Sequence, residues 1–203
     1  MYNPAVPIDY ESESPAAPRS GLGPYHAGDY FQLPDEPRCE LVCGRLLVTP
    51  APNVRHQDVV LELAVRLREH ARRGGGRVVV SPVDVVLAPH SVVQPDIVFV
   101  GPERAGIVKD HVEAAPDLVV EVLSPGAARR DLGEKLELYA EAGVDEYWIV
   151  DPATRTFELL VNRDGAFSVR LPEEGVYRSA AVVGFELDVE AFWRDLPEPP
   201  VGS

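Results

Sequence analysis

Two acidic side chains and a lysine stand where a phosphodiester-cleaving site could be built from them. Asp96 follows Pro95 and opens the apolar run Ile97-Val98-Phe99-Val100. Glu121 lies within Leu118-Val119-Val120-Glu121-Val122-Leu123, a carboxylate with apolar neighbours on both sides. Side chains alternate along a strand, so Asp96 shares a face with Val98 and Val100, and Glu121 with Val119 and Leu123. Carboxylates in such settings are costly unless a cation, a hydrogen-bond donor or a metal neutralises them. Their spacing fits neighbouring strands joined by a loop. Lys135, in DLGEKLELYAEA, sits roughly 40° around a helix from Tyr139, where it can reach along the sheet toward Glu121. Paired carboxylates suit Mg²⁺ or Mn²⁺, hard cations that keep several waters. Such an ion acidifies a water and stabilises charge on a phosphate, and a lysine can assist. Plainer alternatives stand beside each residue: a turn aspartate capping its own backbone, a structural ion pair for Glu121, and a surface lysine.

Three further residues extend the set. Glu40 could be another metal ligand. His56 and Gln57 open a helix, where a histidine can carry a proton or meet a phosphate; surface or capping roles are the alternatives.

The elements that must position these groups can be read from periodicity. Leu41 and Leu46-Leu47-Val48 flank Gly44, which predicts a hairpin. Residues 56–72 carry Val60, Leu63, Ala64 and Leu67 at helical spacing, and Gly74-Gly75-Gly76 ends that helix. Val78–Leu87 is β-rich, with Pro82 marking an edge or a bulge. Val92–Val100 and Asp117–Leu123 read as two strands covered on both faces. Residues 131–142 form a second helix, with Asp131 as N-cap, Glu134 three residues on and Gly143 as its stop. Glu146–Asp151 is a strand, and TFELLV and AFSVRL form a hairpin around Asn162–Gly165. This order predicts a mixed α/β sandwich with one core.

Composition sets the bounds. The chain has 203 residues, 45% of them hydrophobic and 26% charged, which is ordinary for one globular domain. Residues 1–28 and 196–203 read as disordered tails around a domain at 29–195. No stretch approaches the roughly 20 apolar residues of a membrane span. The start has neither a basic nor an apolar signal region, so a cytoplasmic protein is expected, with Cys39 and Cys43 as reduced thiols. The net charge of −14 argues against nucleic-acid binding; the two ends contribute −2 (residues 1–28) and −4 (186–203), leaving −8 in between. A local basic patch of Arg66, Arg68, Arg72, Arg73 and Arg77, or a solvated helix end, accounts for the arginines.

The runs CELVCGRLLVTPAPNVRHQ, SPVDVVL, VVQPDIVFV, APDLVVEVLSP and RRDLGEKLELYAEAGVDEYWIVDP together resemble the Uma-two family, classed with restriction endonucleases in the PD-(D/E)XK superfamily. The resemblance covers about residues 29–193. It implies a restriction-endonuclease-like core, a central mixed sheet flanked by helices, with additional hairpins. Carried over, Asp96 is the PD aspartate, Glu121 the acidic residue of the (D/E)XK strand, and Glu40 the acidic residue of the N-terminal element. Ser124, His56 and Gln57 also match family positions. The superfamily lysine is missing: Leu123 occupies its place, and Lys135 looks like a migrated replacement.

The reading that follows is a Mg²⁺- or Mn²⁺-dependent endonuclease acting on DNA. It would use Asp96, Glu121 and Lys135 for catalysis, and Asp96, Glu121 and Glu40 for the metal. A homodimer is expected, because nucleases of this superfamily that cut duplexes commonly pair two sites. Tyr147, Trp148, Phe192 and Trp193 belong to the core or to such an interface. The alternative is a catalytically inactive nuclease fold serving as a binding or regulatory protein. Hydrolysis of another phosphorylated substrate is a third possibility.

Overall fold

A computed structural model describes residues 22–34, 36–124 and 129–198, with the side chains of 129–132 excluded. The elements run α1 (Ala27–Tyr30), β1 (Cys39–Val42), β2 (Arg45–Val48), α2 (Val54–Gly74), β3 (Arg77–Val80), β4 (Val85–Ala88), β5 (Ser91–Val93), β6 (Ile97–Val100), β7 (Leu118–Val122), α3 (Arg129–Ala142), β8 (Glu146–Asp151), β9 (Thr156–Arg163), β10 (Ala166–Val169), β11 (Val176–Arg178), β12 (Glu186–Asp188) and α4 (Val189–Asp195).

A six-stranded sheet ordered β10-β9-β8-β7-β6-β3 forms the centre. It is mixed: β7 and β8 run parallel, and its other neighbouring strands run antiparallel. A parallel pair needs a crossover, and α3 supplies it. Alternation places two cores on the two faces. Ile97, Phe99, Val120, Val122 and Trp148 pack on one side with Val59, Leu63 and Leu67 of α2 and with Phe192 and Trp193 of α4. Val98, Val100, Val119, Tyr147 and Ile149 pack on the other with Leu138 and Tyr139 of α3. Val42, Val85 and Val93 join that second core from a four-stranded sheet ordered β2-β1-β5-β4. The large aromatic residues of β8 and α4 are therefore core residues. This is the restriction-endonuclease-like mixed sheet between helices that the family resemblance implied, with a core on each face rather than the one core expected.

The expected Val92–Val100 strand is in fact two strands in different sheets. β5 pairs with β1 and β4, whereas β6 pairs with β3 and β7. Pro95 has no N–H to give a ladder, and the Gln94 N–H is spent on the Glu40 carboxylate at 2.6 Å. The Val78–Leu87 run divides likewise around Pro82, leaving β3 at the edge of the large sheet. The first helix starts at Val54 rather than His56, because the Asn53 side chain accepts the His56 N–H at 2.8 Å as a cap. The second starts at Arg129, ahead of the expected cap Asp131, whose side chain is outside the described set.

Residues 22–28, assigned to a tail, are instead tied to the body. The Gly23 and Tyr25 N–H groups donate to the carbonyls of Cys43 and Gly44. Gly44 has φ +79°, and a Cβ there would meet the Gly23 carbonyl oxygen at 2.4 Å, so the turn admits only glycine. At the other end Leu196 is buried in the core. The rest of the expected tails, 1–21 and 199–203, lies outside the described residues. No described helix is long and apolar enough to cross a membrane. Cys39 is buried, Cys43 half-buried, and both are free thiols.

Candidate active site

Asp96 immediately precedes β6, and Glu121 lies on β7. The antiparallel register pairs Ile97 with Val120, so one further step sets Asp96 opposite Glu121. The Val122 N–H donates to Asp96 Oδ2 at 2.7 Å, fixing that carboxylate to the neighbouring strand. Asp96 Oδ1 lies 3.0 Å from His56 Nε2, and Ser124 Oγ lies 3.1 Å from His56 Nδ1. His56 is thus held between a hydroxyl and a carboxylate, with its ring buried at the start of α2.

Lys135 reaches the sheet. Its Nζ donates to Glu121 Oε1 at 2.8 Å and lies 3.0 and 2.9 Å from Glu40 Oε1 and Oε2. The lysine side chain is 11% exposed, Glu121 13% and Glu40 7%, so this ion triad is largely out of water. Burial pushes the Glu121 carboxyl up to about 7; Lys135 pulls it back, and Asp96 and Glu40 add to the rise. Burial alone would lower Lys135, but Glu121 and Glu40 outweigh it and hold the ammonium charged well above the usual lysine range. Tyr139, one helical turn beyond Lys135, donates to Glu121 Oε1 at 2.8 Å. Burial and the nearby carboxylates raise the phenol, keeping it a donor.

Of the residues singled out in the sequence, Glu40, Lys135 and Glu121 form one cluster and Asp96, His56 and Ser124 another, and the Val122 N–H, next to Glu121, ties the second to β7. Gln57 joins neither: it is exposed on α2. The expected three-carboxylate metal set does not assemble. Both Glu40 oxygens are engaged by Lys135, and Oε1 also takes the Gln94 N–H, so Glu40 serves the lysine. Among the described residues no group of three or more His, Cys, Asp and Glu side chains could hold a metal ion. Two residues join the site without having been assigned to it. Tyr139 was legible as the i+4 neighbour of Lys135 on one helical face. Gln94 carried no signal beyond its place before Pro95-Asp96.

The candidate basic patch is not at this site. Arg66 pairs with Glu62 and Asp195. Arg68, Arg72, Arg73 and Arg77 are exposed with no ion pair among the described residues. Arg72 lies sixteen residues beyond His56, about 24 Å along α2 at the helical rise.

A mixed sheet between helices, with an acidic pair facing each other on neighbouring strands and a lysine beside it, defines a protein of the nuclease-like α/β class. The comparisons give the family: the chain belongs to the Uma2 family, described as "Putative restriction endonuclease", whose profile matches residues 27–190. A crystal structure of a putative nuclease belonging to DUF820 from Anabaena variabilis shares the fold, with a TM-score of 0.74 at 17% identity, covering 84% of this chain and 98% of that one. No curated protein matches the chain.

Proposed function

We propose that the chain is a metal-dependent endonuclease that hydrolyses phosphodiester bonds in DNA. The observation that carries this reading is the position of Lys135. The superfamily lysine position is occupied by Leu123, yet an ammonium from α3 lies 2.8 Å from Glu121. A lysine migrated to a helix therefore restores the missing charge.

The donor set fits one hard cation. Glu121 Oε1 takes Lys135 and Tyr139, whereas Oε2 takes no hydrogen bond from a described residue. Each Asp96 oxygen has one protein partner and keeps a lone pair. Asp96 and Glu121 would hold Mg²⁺ or Mn²⁺, which keeps waters in its remaining positions. Such an ion supplies Lewis-acid stabilisation of the phosphate and an acidified water. Glu40 holds Lys135 in place and is a positioning residue. His56, backed by Ser124, orients Asp96. Arg68, Arg72, Arg73 and Arg77, exposed and without an ion pair among the described residues, offer phosphate contacts remote from the chemistry, on a chain whose net charge is −14. Two copies, each cutting one strand, would serve a duplex.

The test is a Mg²⁺ and Mn²⁺ titration of the full chain with plasmid and oligonucleotide substrates. Cleavage is expected from the wild type and not from Glu121→Gln. Equal cleavage by both overturns the assignment.

A second reading, an inactive nuclease fold used for binding, is favoured by one feature: both Asp96 oxygens and Glu121 Oε1 already have protein hydrogen-bond partners. Nucleic-acid binding without turnover at any metal concentration would support it.

A further inference from the structure

A cavity of about 340 Å³, bordered by Gln94, opens between α1, the segment leading into β1 and the β3–β4 connection. That is the lower end of the range for small-ligand sites, the scale of one small group rather than a long ligand. Tyr30 and Phe31 supply rings to its wall, and Pro34, Pro37 and Pro82 supply flat apolar surface. Three charged groups share the same wall: the exposed Glu36 and the half-buried Arg38 and Asp84.

Neither Arg38 nor Asp84 has an ion-pair partner among the described residues. Arg38 Nη2 donates to Gln94 Oε1 at 3.0 Å and to Ser81 Oγ at 3.3 Å. Its Nη1 has no acceptor among the described residues, its buried Nε has none, and no described carboxylate pairs with it. Asp84 Oδ1 accepts from Tyr30 Oη at 2.8 Å and Gln94 Nε2 at 2.9 Å, while Oδ2 receives nothing from a described residue. Burial and Asp84 raise the Tyr30 phenol, so it stays a donor to that carboxylate. Gln94 is locked between the two, its carbonyl toward the cation and its NH₂ toward the anion, and its Nε2 also meets Tyr30 Oη at 3.1 Å. A half-buried guanidinium and a half-buried carboxylate that each keep an open hydrogen-bonding position, set among rings and prolines, are complementary to a flat ligand with both an acceptor and donors on one edge.

We propose that this cavity binds a single unpaired nucleobase of the nucleic-acid substrate, and that guanine fits it best. This deepens the nuclease reading and rests on it. Guanine offers O6 as an acceptor for Arg38, the base atom arginine most often reads. On the same edge it offers N1–H and N2–H to the open oxygen of Asp84. Adenine and cytosine carry one exocyclic donor group beside acceptors, so the carboxylate would face a lone pair. The walls add stacking, which tolerates any base and supplies affinity. The position suits a specificity pocket: Cys39 and Gln94 on the wall are one and two residues from Glu40 and Asp96, and the Gln94 N–H holds Glu40.

The experiment is calorimetric or NMR titration of the full chain, without metal, with dGMP, dAMP, dCMP and dIMP. Binding of dGMP should be the tightest, and dIMP, which lacks the 2-amino donor, should bind about tenfold more weakly, as for the loss of one charge-assisted hydrogen bond. Asp84→Asn should lose at least as much for dGMP. Should that variant fail to fold, the dGMP-to-dIMP ratio on the wild type decides alone. Equal affinity for the four nucleotides, or no binding, overturns the pocket. Glu121→Gln should bind dGMP as the wild type does. If it also cleaves like the wild type, the nuclease assignment falls while base binding stands; if cleavage is lost but the nucleotides bind equally, the pocket falls and the nuclease assignment stands.

Discussion

Removing Lys135 tests the centre of the site. Lys135→Met keeps the length of the side chain and deletes the ammonium that faces Glu121 and Glu40 at 2.8–3.0 Å. Both carboxylates then remain in a setting that water barely reaches. Breaking a buried ion pair by removing one partner costs about 3–5 kcal/mol, because the charge left behind is uncompensated. For a chain of this size each kcal/mol moves Tm by about 2–4 °C, so a fall of about 6–20 °C is expected. The loss must depend on pH. Glu121 already titrates near 7 with the lysine present, and without it the folded-state value rises further. Unfolded glutamate titrates near 4.3. A carboxyl raised in the fold takes up a proton and sheds its penalty as pH falls through the folded value. The deficit of Lys135→Met relative to the wild type should therefore be largest at pH 8 and shrink toward pH 5. Thermal melts and urea titrations of both proteins at the two pH values are the assay. A Tm within a degree or two of the wild type at pH 8, or the same deficit at both pH values, would refute the ion-triad reasoning.

Other expectations follow from the same contacts. If a divalent ion is held by Asp96 and Glu121, binding should expel about half a proton at pH 7, because Glu121 must ionise, and the apparent affinity should fall below that pH; calorimetry in two buffers of different ionisation enthalpy measures both. Asp96→Asn should weaken Mg²⁺ or Mn²⁺ binding and cleavage by about 100-fold or more while leaving the melting temperature nearly intact, since an amide still accepts the Val122 N–H. Glu146, fully buried, accepts hydrogen bonds from Tyr177 Oη, Ser179 Oγ, Trp148 Nε1 and the Ala180 N–H, pinning β11 and the loop after it to β8. Glu146→Ala should cost about 3–5 kcal/mol in a denaturation experiment, since it strands three buried donors and the part-buried Ala180 N–H. Gly44→Ala should melt lower than the wild type and expose the chain before residue 29 to limited proteolysis, because the new Cβ would collide with Gly23.

Much was legible in the residues. Near-continuous apolar runs through Ile97–Val100, Leu118–Val122 and Glu146–Asp151 mark strands covered on both faces, and the 3.6 period of Val60, Leu63 and Leu67 marks the helix on one of them. A proline before an aspartate and a glutamate inside an apolar strand are local anomalies, so Asp96 and Glu121 stood out without a fold. The C-terminal β11, β12 and α4 carried weaker patterns and were not read as separate elements. The split of Val92–Val100 also escaped, because a run of β-formers looks alike whether it serves one sheet or two; only the partners available to each half decide.

What the sequence determined by itself was most of the elements, the family and the two acidic residues, since each depends on residues close together along the chain. What only the tertiary structure decided was which groups neutralise that pair. Lys135 meets Glu40 across 95 positions, Ser124 meets His56 across 68, and Tyr30 and Gln94 meet across 64. Such contacts are fixed by sheet order and helix docking. The cost of burying an unpartnered charge then selects, among residues that local patterns cannot tell apart, the ones that end up facing each other.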